Sequence, residues 1–214
     1  KPQHYTQTES TNLKHCVVSC SYLVSEGVKI RTSDPNFLAR VDLYFSKLLP
    51  LLASLQVQHG GPIILFQLEN AYGSVEAVDV DDQYMAHLHE TVRQNGISGL
   101  LTTCDSVAAS LDRGALPKLG VLQTTSSETD ALAQLETLRA LQPSKPAFIH
   151  FRTGLVDYWD RPLRNVWLAH EYEAALQEVL QTSASVNLQM FCGGTNFGFT
   201  SGATGGDTRD SYHP

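Results

Sequence analysis

Gly60-Gly61-Pro62-Ile63-Ile64-Leu65-Phe66-Gln67-Leu68-Glu69-Asn70-Ala71-Tyr72-Gly73-Ser74 changes character twice in 15 residues. Gly-Gly-Pro ends whatever precedes it, because two glycines leave the backbone loose and proline removes a donor. The run at 63–68 is apolar and short, which predicts a buried strand. A polar turn rich in Asn, Gly and Ser follows. Upstream, residues 37–56 place Phe37, Val41, Phe45, Leu48 and Leu52 on one face at helical spacing, and Pro50 should kink or divide that helix. Downstream, a helix is predicted at 80–95 and strands at 98–103 and 118–125. A helix at 128–141, a strand at 146–151, a helix at 163–182 and a strand at 185–192 complete the series. Strands alternating with helices predict an α/β fold of parallel βα units. Five such units are three short of a closed eight-stranded barrel. By pattern alone they fit an open doubly wound sheet as well as part of a barrel.

The chain has 214 residues, 42% hydrophobic and 17% charged, enough to bury a sizeable core. Its formal net charge is −7, with no basic cluster, which argues against a nucleic-acid partner. No run of about 18 apolar residues predicts a membrane span. Lys1-Pro2-Gln3-His4 does not read as a signal peptide. Residues 1–25 are polar and cysteine-bearing, 26–203 carry the βα pattern, and 204–214 are a loop-like tail rich in Gly and Thr. Cys16 and Cys20 lie four apart, but Cys104 and Cys192 do not add a second pair at zinc-ligand spacing. Buried thiols or one disulfide both fit. No metal site and no cofactor are expected.

Four segments carry a resemblance to a known family. Residues 60–74 resemble the GGPII-x-x-Q-[VIL]-E-N-E-Y-G-S segment of glycoside hydrolase family 35, the β-galactosidases. Met190-Phe191-Cys192-Gly193-Gly194-Thr195-Asn196-Phe197 resembles its MF-x-GGTNF signature. Thr153-Gly154, with Asp157 and Trp159, resembles its E-[FY]-W-T-G-W-x-D-x-W-G strand end. Arg31-Thr32-Ser33-Asp34-Pro35 is similar to its R-[ST]-[SN]-D-P. The four fall in the family's order over roughly residues 23–203. The resemblance implies a partial (β/α)8 barrel containing strands 4 to 8. Two strand edges would then need covering, by further chain or by a protein partner.

Retaining hydrolysis needs two carboxyl groups about 5–5.5 Å apart, one an acid/base and one a nucleophile. The resemblance puts the acid/base at Ala71 and the nucleophile at His150. Neither residue is a carboxylate. Arg152 and Leu155 replace two tryptophans of the motif, and Phe199 stands where animal members often carry Tyr. On an extended strand Glu69 would share a face with Ala71, about 6.5–7 Å away, and could be considered as a substitute acid. The family keeps this Glu, however, without using it as the acid. Asn70 matches the family's sugar-binding Asn and is the best remaining substrate contact. A second, fainter match sets Glu9 against the galactose-binding Glu of strand 3.

Tyr72, Gly73, Asp157, Gly193, Gly194 and Asn196 are expected to shape the turns around the site. The resemblance therefore implies a β-galactosidase-like chain without hydrolytic activity, keeping weak affinity for a galactoside or glycan. An active or deliberately inactivated β-galactosidase and a structural component of a larger assembly are the alternatives. Lysosomal or secreted localisation follows from the resemblance alone.

Overall fold

The computed structural model describes residues 27–74, 80–107, 116, 119–127, 130–154, 167–189, 203–204 and 211–212. Two compact units divide within one strand, between Thr124 and Thr125.

In the first unit, helix α1 spans Pro35–Ala53. Asp34 caps it, its carboxylate accepting from the backbone N–H of Asn36 at 2.9 Å and of Phe37 at 3.4 Å. Pro35 fills the first turn, where no N–H is needed. Asp34 is held below its usual pKa, chiefly by the backbone N–H of Lys29. Pro50 does not divide the helix. It lies on the exposed face, three residues from the end, where the missing N–H interrupts the ladder just before the helix stops.

A 3-10 turn at Val57–His59 ends on Gly60, whose φ is 81°. Here the Gly-Gly-Pro breaker has a steric reason. A Cβ on Gly61 would lie 2.0 Å from the Leu55 carbonyl oxygen, so only glycine permits the chain to double back. Strand β1, Leu65–Gln67, then pairs in parallel with β2, Leu100–Cys104, after helix α2, Asp82–Gln94. Asp81 caps α2 through Gln83 and Tyr84. It also accepts from the N–H and hydroxyl of Ser33, both at 2.7 Å. Burial pushes the Asp81 carboxyl up, and the Ser33 and helix N–H bonds outweigh it and bring it below the usual range.

Phe37, Val41 and Leu49 from α1, with Tyr84, Met85, Leu88 and Val92 from α2, form the core with Leu68, Tyr72 and Leu101. Gln56, fully buried, crosses this unit. Its amide donates to the carbonyls of Ala53 and Gly96 at 2.8 and 2.9 Å. Its oxygen accepts from the N–H of Ser98 and Gly99 at 2.9 and 2.8 Å. The end of α1 is thus tied to the entry of β2. Strand β3, Leu122–Ser127, joins β2 through Leu122, Gln123 and Thr124.

The second unit starts with the rest of β3. It pairs in parallel with β4, Phe148–Arg152, which pairs in parallel with β5, Ser185–Gln189. Helices α3, Ala131–Leu141, and α4, Ala169–Gln181, connect them. Leu135, Leu138, Ile149, Phe151 and Val179 are buried. Arg139 donates to the Thr182 carbonyl, tying α3 to the end of α4. At the start of the 204–214 tail, expected to be a loop, β6, Ala203–Thr204, pairs antiparallel with β7, Ser211–Tyr212. Thr and Tyr favour such a ladder, a preference hidden by the glycines around them.

Candidate functional site

Strand β1 stops at Gln67, and the segment after it is not extended. Leu68 N–H reaches the Thr102 carbonyl at 2.7 Å and Ala71 N–H reaches the Cys104 carbonyl at 2.7 Å. Three steps along one strand therefore match two along the other, which is a bulge with one extra residue. Glu69 and Ala71 adopt left-handed φ values of 59° and 52°. Neither is glycine, so each conformation costs about 1 kcal/mol that surrounding contacts must offset. The expected shared face of Glu69 and Ala71 on an extended strand is thus corrected, because the bulge turns each residue separately.

The contacts that hold the bulge begin with Arg31, itself buried and at φ 58°. Its guanidinium donates to both carboxylate oxygens of Glu69, from Nε at 3.2 Å and from Nη2 at 2.8 Å. Nη2 also donates to the Asn70 carbonyl at 3.1 Å. The Tyr84 hydroxyl donates to Glu69 Oε1 at 2.6 Å, and Asn70 N–H donates to Oε2 at 3.2 Å. Burial and the Glu69 carboxylate hold the Tyr84 phenol far above its usual pKa. The Glu69 side chain is only 3% exposed and its oxygens accept four hydrogen bonds, leaving it no free face for moving a proton to a ligand.

Tyr72, 1% exposed, donates to the Arg31 carbonyl at 2.9 Å and accepts from Asp81 N–H at 3.0 Å. Its ring lies 5.0 Å from the Arg31 guanidinium carbon. Gly73 and Ser74 close the segment by donating N–H bonds to Asp105 at 2.7 and 3.2 Å. Asp105 is buried just beyond β2, and burial raises its pKa against the pull of those N–H groups. Asp105 and Arg31 were not singled out for the site. The signal for Asp105 was a carboxylate at the end of a buried strand, where sites of parallel βα folds are built. Arg31 was legible only as a motif member.

Asn70 is half-buried beside Gln67, whose amide nitrogen donates to the Glu69 carbonyl at 2.7 Å and to Asn70 Oδ1 at 3.1 Å. Both residues, with Arg31 and Glu69, line a cleft of about 400 Å³. Its remaining lining is mostly apolar, including Phe45, Leu48 and Leu52 of α1 and Leu88 of α2, with Tyr44 and Tyr84.

His150 belongs to the second unit, on β4. It is 2% exposed and sits opposite Asn187 of β5, whose amide nitrogen lies 2.8 Å from His150 Nδ1. An amide nitrogen only donates, so Nδ1 accepts and the proton of the neutral ring is on Nε2. Burial pushes the imidazole down to a pKa of about 4. It is uncharged across ordinary and mildly acidic pH.

The structure brings Glu69, Asn70, Ala71, Tyr72 and Gly73 together in the first unit. Glu9, Leu155, Asp157, Gly193, Gly194, Asn196 and Phe199 lie outside the described residues, as do Cys16, Cys20 and Cys192. Cys104 is a buried thiol. Among the described residues no group of three or more His, Cys, Asp or Glu could hold a metal ion. No described helix is long and apolar enough to cross a membrane.

Parallel strands joined by helices, with polar side chains gathered just past strand ends, are shared by (β/α)-barrels and open doubly wound sheets. The sequence profile of glycosyl hydrolases family 35 matches residues 20–213, and the chain belongs to that family. It is 36% identical over 187 residues to human beta-galactosidase-1-like protein 2. It is 37% identical over 187 residues to human beta-galactosidase, and 36% identical over 184 residues to the enzyme of Felis catus. The human matches take in 86% and 85% of this chain but 28% and 27% of those proteins, so the chain spans about a quarter of their length. The fold is α/β, a partial (β/α)8 barrel in which β1 to β5 are strands 4 to 8. The open doubly wound alternative is set aside by the family match.

Proposed function

We propose that this chain is a β-galactosidase-like protein that does not hydrolyse glycosides and keeps weak affinity for a terminal β-galactoside. The observation that carries the reading is the state of Glu69. With Ala71 at the acid/base position, Glu69 is the neighbouring carboxylate that could substitute. Its oxygens are instead occupied by Arg31, Tyr84 and the Asn70 N–H. A methyl group neither donates a proton nor activates water. At the nucleophile position the neutral, buried His150 imidazole offers no carboxylate to form a glycosyl ester. Loss of either role costs orders of magnitude in rate, and loss of both leaves none to measure.

Asn70 supports the binding half of the reading, since it is one of the few polar groups lining a mostly apolar cleft. The test is release of an aryl β-galactoside by the purified chain. The expected result is no release above buffer. Turnover that a galactose-like inhibitor abolishes would overturn the inactive reading, and calorimetry without heat at millimolar galactose would remove the binding half.

A second reading, a structural component covered by a protein partner, rests on β1 and β5. Each pairs on one side only among the described strands. Scattering from the isolated chain tests it, and a folded, monodisperse monomer would count against it.

A further inference from the structure

We propose that Gln67 is a positioning residue that fixes which end of the Asn70 amide faces a ligand, so that this position offers hydrogen-bond donors and selects an acceptor. The inference rests on the reading of Asn70 as a galactoside contact and goes one step deeper, to the polarity of that contact.

The orientation follows from a chain of donors and acceptors that starts at the backbone. The Glu69 carbonyl can only accept, and the Gln67 side chain meets it at 2.7 Å, so the nitrogen end of Gln67 must face it. The second hydrogen of that nitrogen points to the Asn70 side chain at 3.1 Å. A donor there requires an acceptor, so Asn70 turns Oδ1 toward Gln67 and its Nδ2 away. With Oδ1 and the Asn70 carbonyl both engaged, Nδ2 has no acceptor among the described residues. Its two hydrogens are the group Asn70 can offer.

The backbone supports this arrangement from both sides. Glu69 is in the left-handed region, which swings its carbonyl back over Gln67, and Arg31 and Tyr84 clamp its carboxylate. Asn70 thus sits on a rigid segment while its amide polarity is set by one side chain. A site of this kind takes an oxygen with free lone pairs, such as a sugar hydroxyl or ring oxygen. It discriminates against a group that can only donate.

The test uses the full chain labelled uniformly with 15N, and methyl β-D-galactoside as the probe. Gln67→Glu keeps the shape but replaces the donor by an acceptor. The Asn70 amide should then reverse, one hydrogen bonding to the new carboxylate, seen as a downfield, slowly exchanging side-chain signal in the ligand-free protein. Binding of the probe should weaken by about tenfold or more, the worth of one hydrogen bond to a reversed group. Both results, with the backbone amides of residues 69–72 keeping their shifts, support the assignment; where those amides move, the Gln67→Met chain decides it. An Asn70 side-chain signal that does not move in a folded Gln67→Glu chain overturns it.

A reversed amide in a protein whose wild type never binds the probe supports the positioning role and overturns the galactoside reading instead. Should Gln67→Glu fail to fold, Gln67→Met removes the donor without adding charge. Faster exchange and loss of a single Asn70 orientation would then support the role, and an unchanged signal would overturn it.

Discussion

His150 makes the stability of the chain depend on pH in a way that can be calculated. In the folded chain its imidazole titrates near 4, because burial disfavours the charged ring. In the unfolded chain it titrates near the ordinary value of about 6.5. Above 6.5 both forms are neutral and the residue contributes nothing. As pH falls below 6.5 the unfolded chain takes up a proton that the folded chain refuses, so stability declines until about pH 4. Between pH 7 and pH 5 the loss from this one group is about 2 kcal/mol, and by pH 4 and below it approaches about 3 kcal/mol.

The perturbation that isolates it is His150→Gln, which stays neutral at every pH and can still accept from Asn187. Urea unfolding of both proteins at pH 7, 6 and 5 measures the effect. Other groups titrate in both proteins alike, so the difference in their losses belongs to position 150. His89, which burial also pushes down, cancels in the same way. The expected outcome is that wild type loses about 2 kcal/mol more than the variant between pH 7 and 5. A difference below about 0.5 kcal/mol would refute the burial argument and place the ring in contact with water.

Arg31→Met leaves the Glu69 carboxylate buried without its cation, and should lower stability by about 3–5 kcal/mol in denaturant unfolding. Arg31→Lys should recover only part of that loss, because a single ammonium cannot make the two-point contact. Gln56→Leu removes four hydrogen bonds at once from backbone groups around a fully buried position, and should cost about 3 kcal/mol or more by the same measurement. Gly61→Ala places its Cβ 2.0 Å from the Leu55 oxygen and should lower the thermal midpoint, while Gly120→Ala, where no atom lies within 4 Å, should cost only the strain of its left-handed φ. The double variant Ala71→Glu with His150→Glu should remain inactive on an aryl β-galactoside if Arg152 and Leu155 reflect a pocket changed throughout; recovered turnover would show a site disabled at two positions only.

Elements were legible where a local signal was strong. The run Ile63-Ile64-Leu65-Phe66 and the apolar face of the first helix announce themselves through apolar content and spacing, which act within a few residues; the start of that helix at Pro35, capped by Asp34, lies two residues before the expected one. The ends of strands were less legible. At Glu69 and Ala71 the left-handed turns fall on residues that do not advertise them; the contacts that hold them come from far along the chain, from Arg31, 38 residues from Glu69, and from the Cys104 carbonyl that Ala71 N–H meets. Gln56 was likewise silent, because a glutamine in sequence gives no sign that its four partners will converge from two other segments. Within the site, the family pattern located Asn70 and Ala71. It could not foresee that Gln67 would orient one of them, since that depends on which atoms of an amide face which neighbour.

Asp81 has a consequence for the order in which the first unit assembles. It caps α2 within two or three residues of itself, a contact available as soon as the helix forms. The same carboxylate also holds Ser33, 48 residues earlier, across a closed loop that contains all of α1 and β1. The cap can form early, but its second set of bonds exists only after that loop has closed, at a cost in chain entropy that grows slowly with its length. The Ser33 amide should therefore exchange with solvent only through openings that separate the start of α1 from the start of α2. The early segment before α1 and the cap of α2 then become one cooperative unit, protected and exposed together.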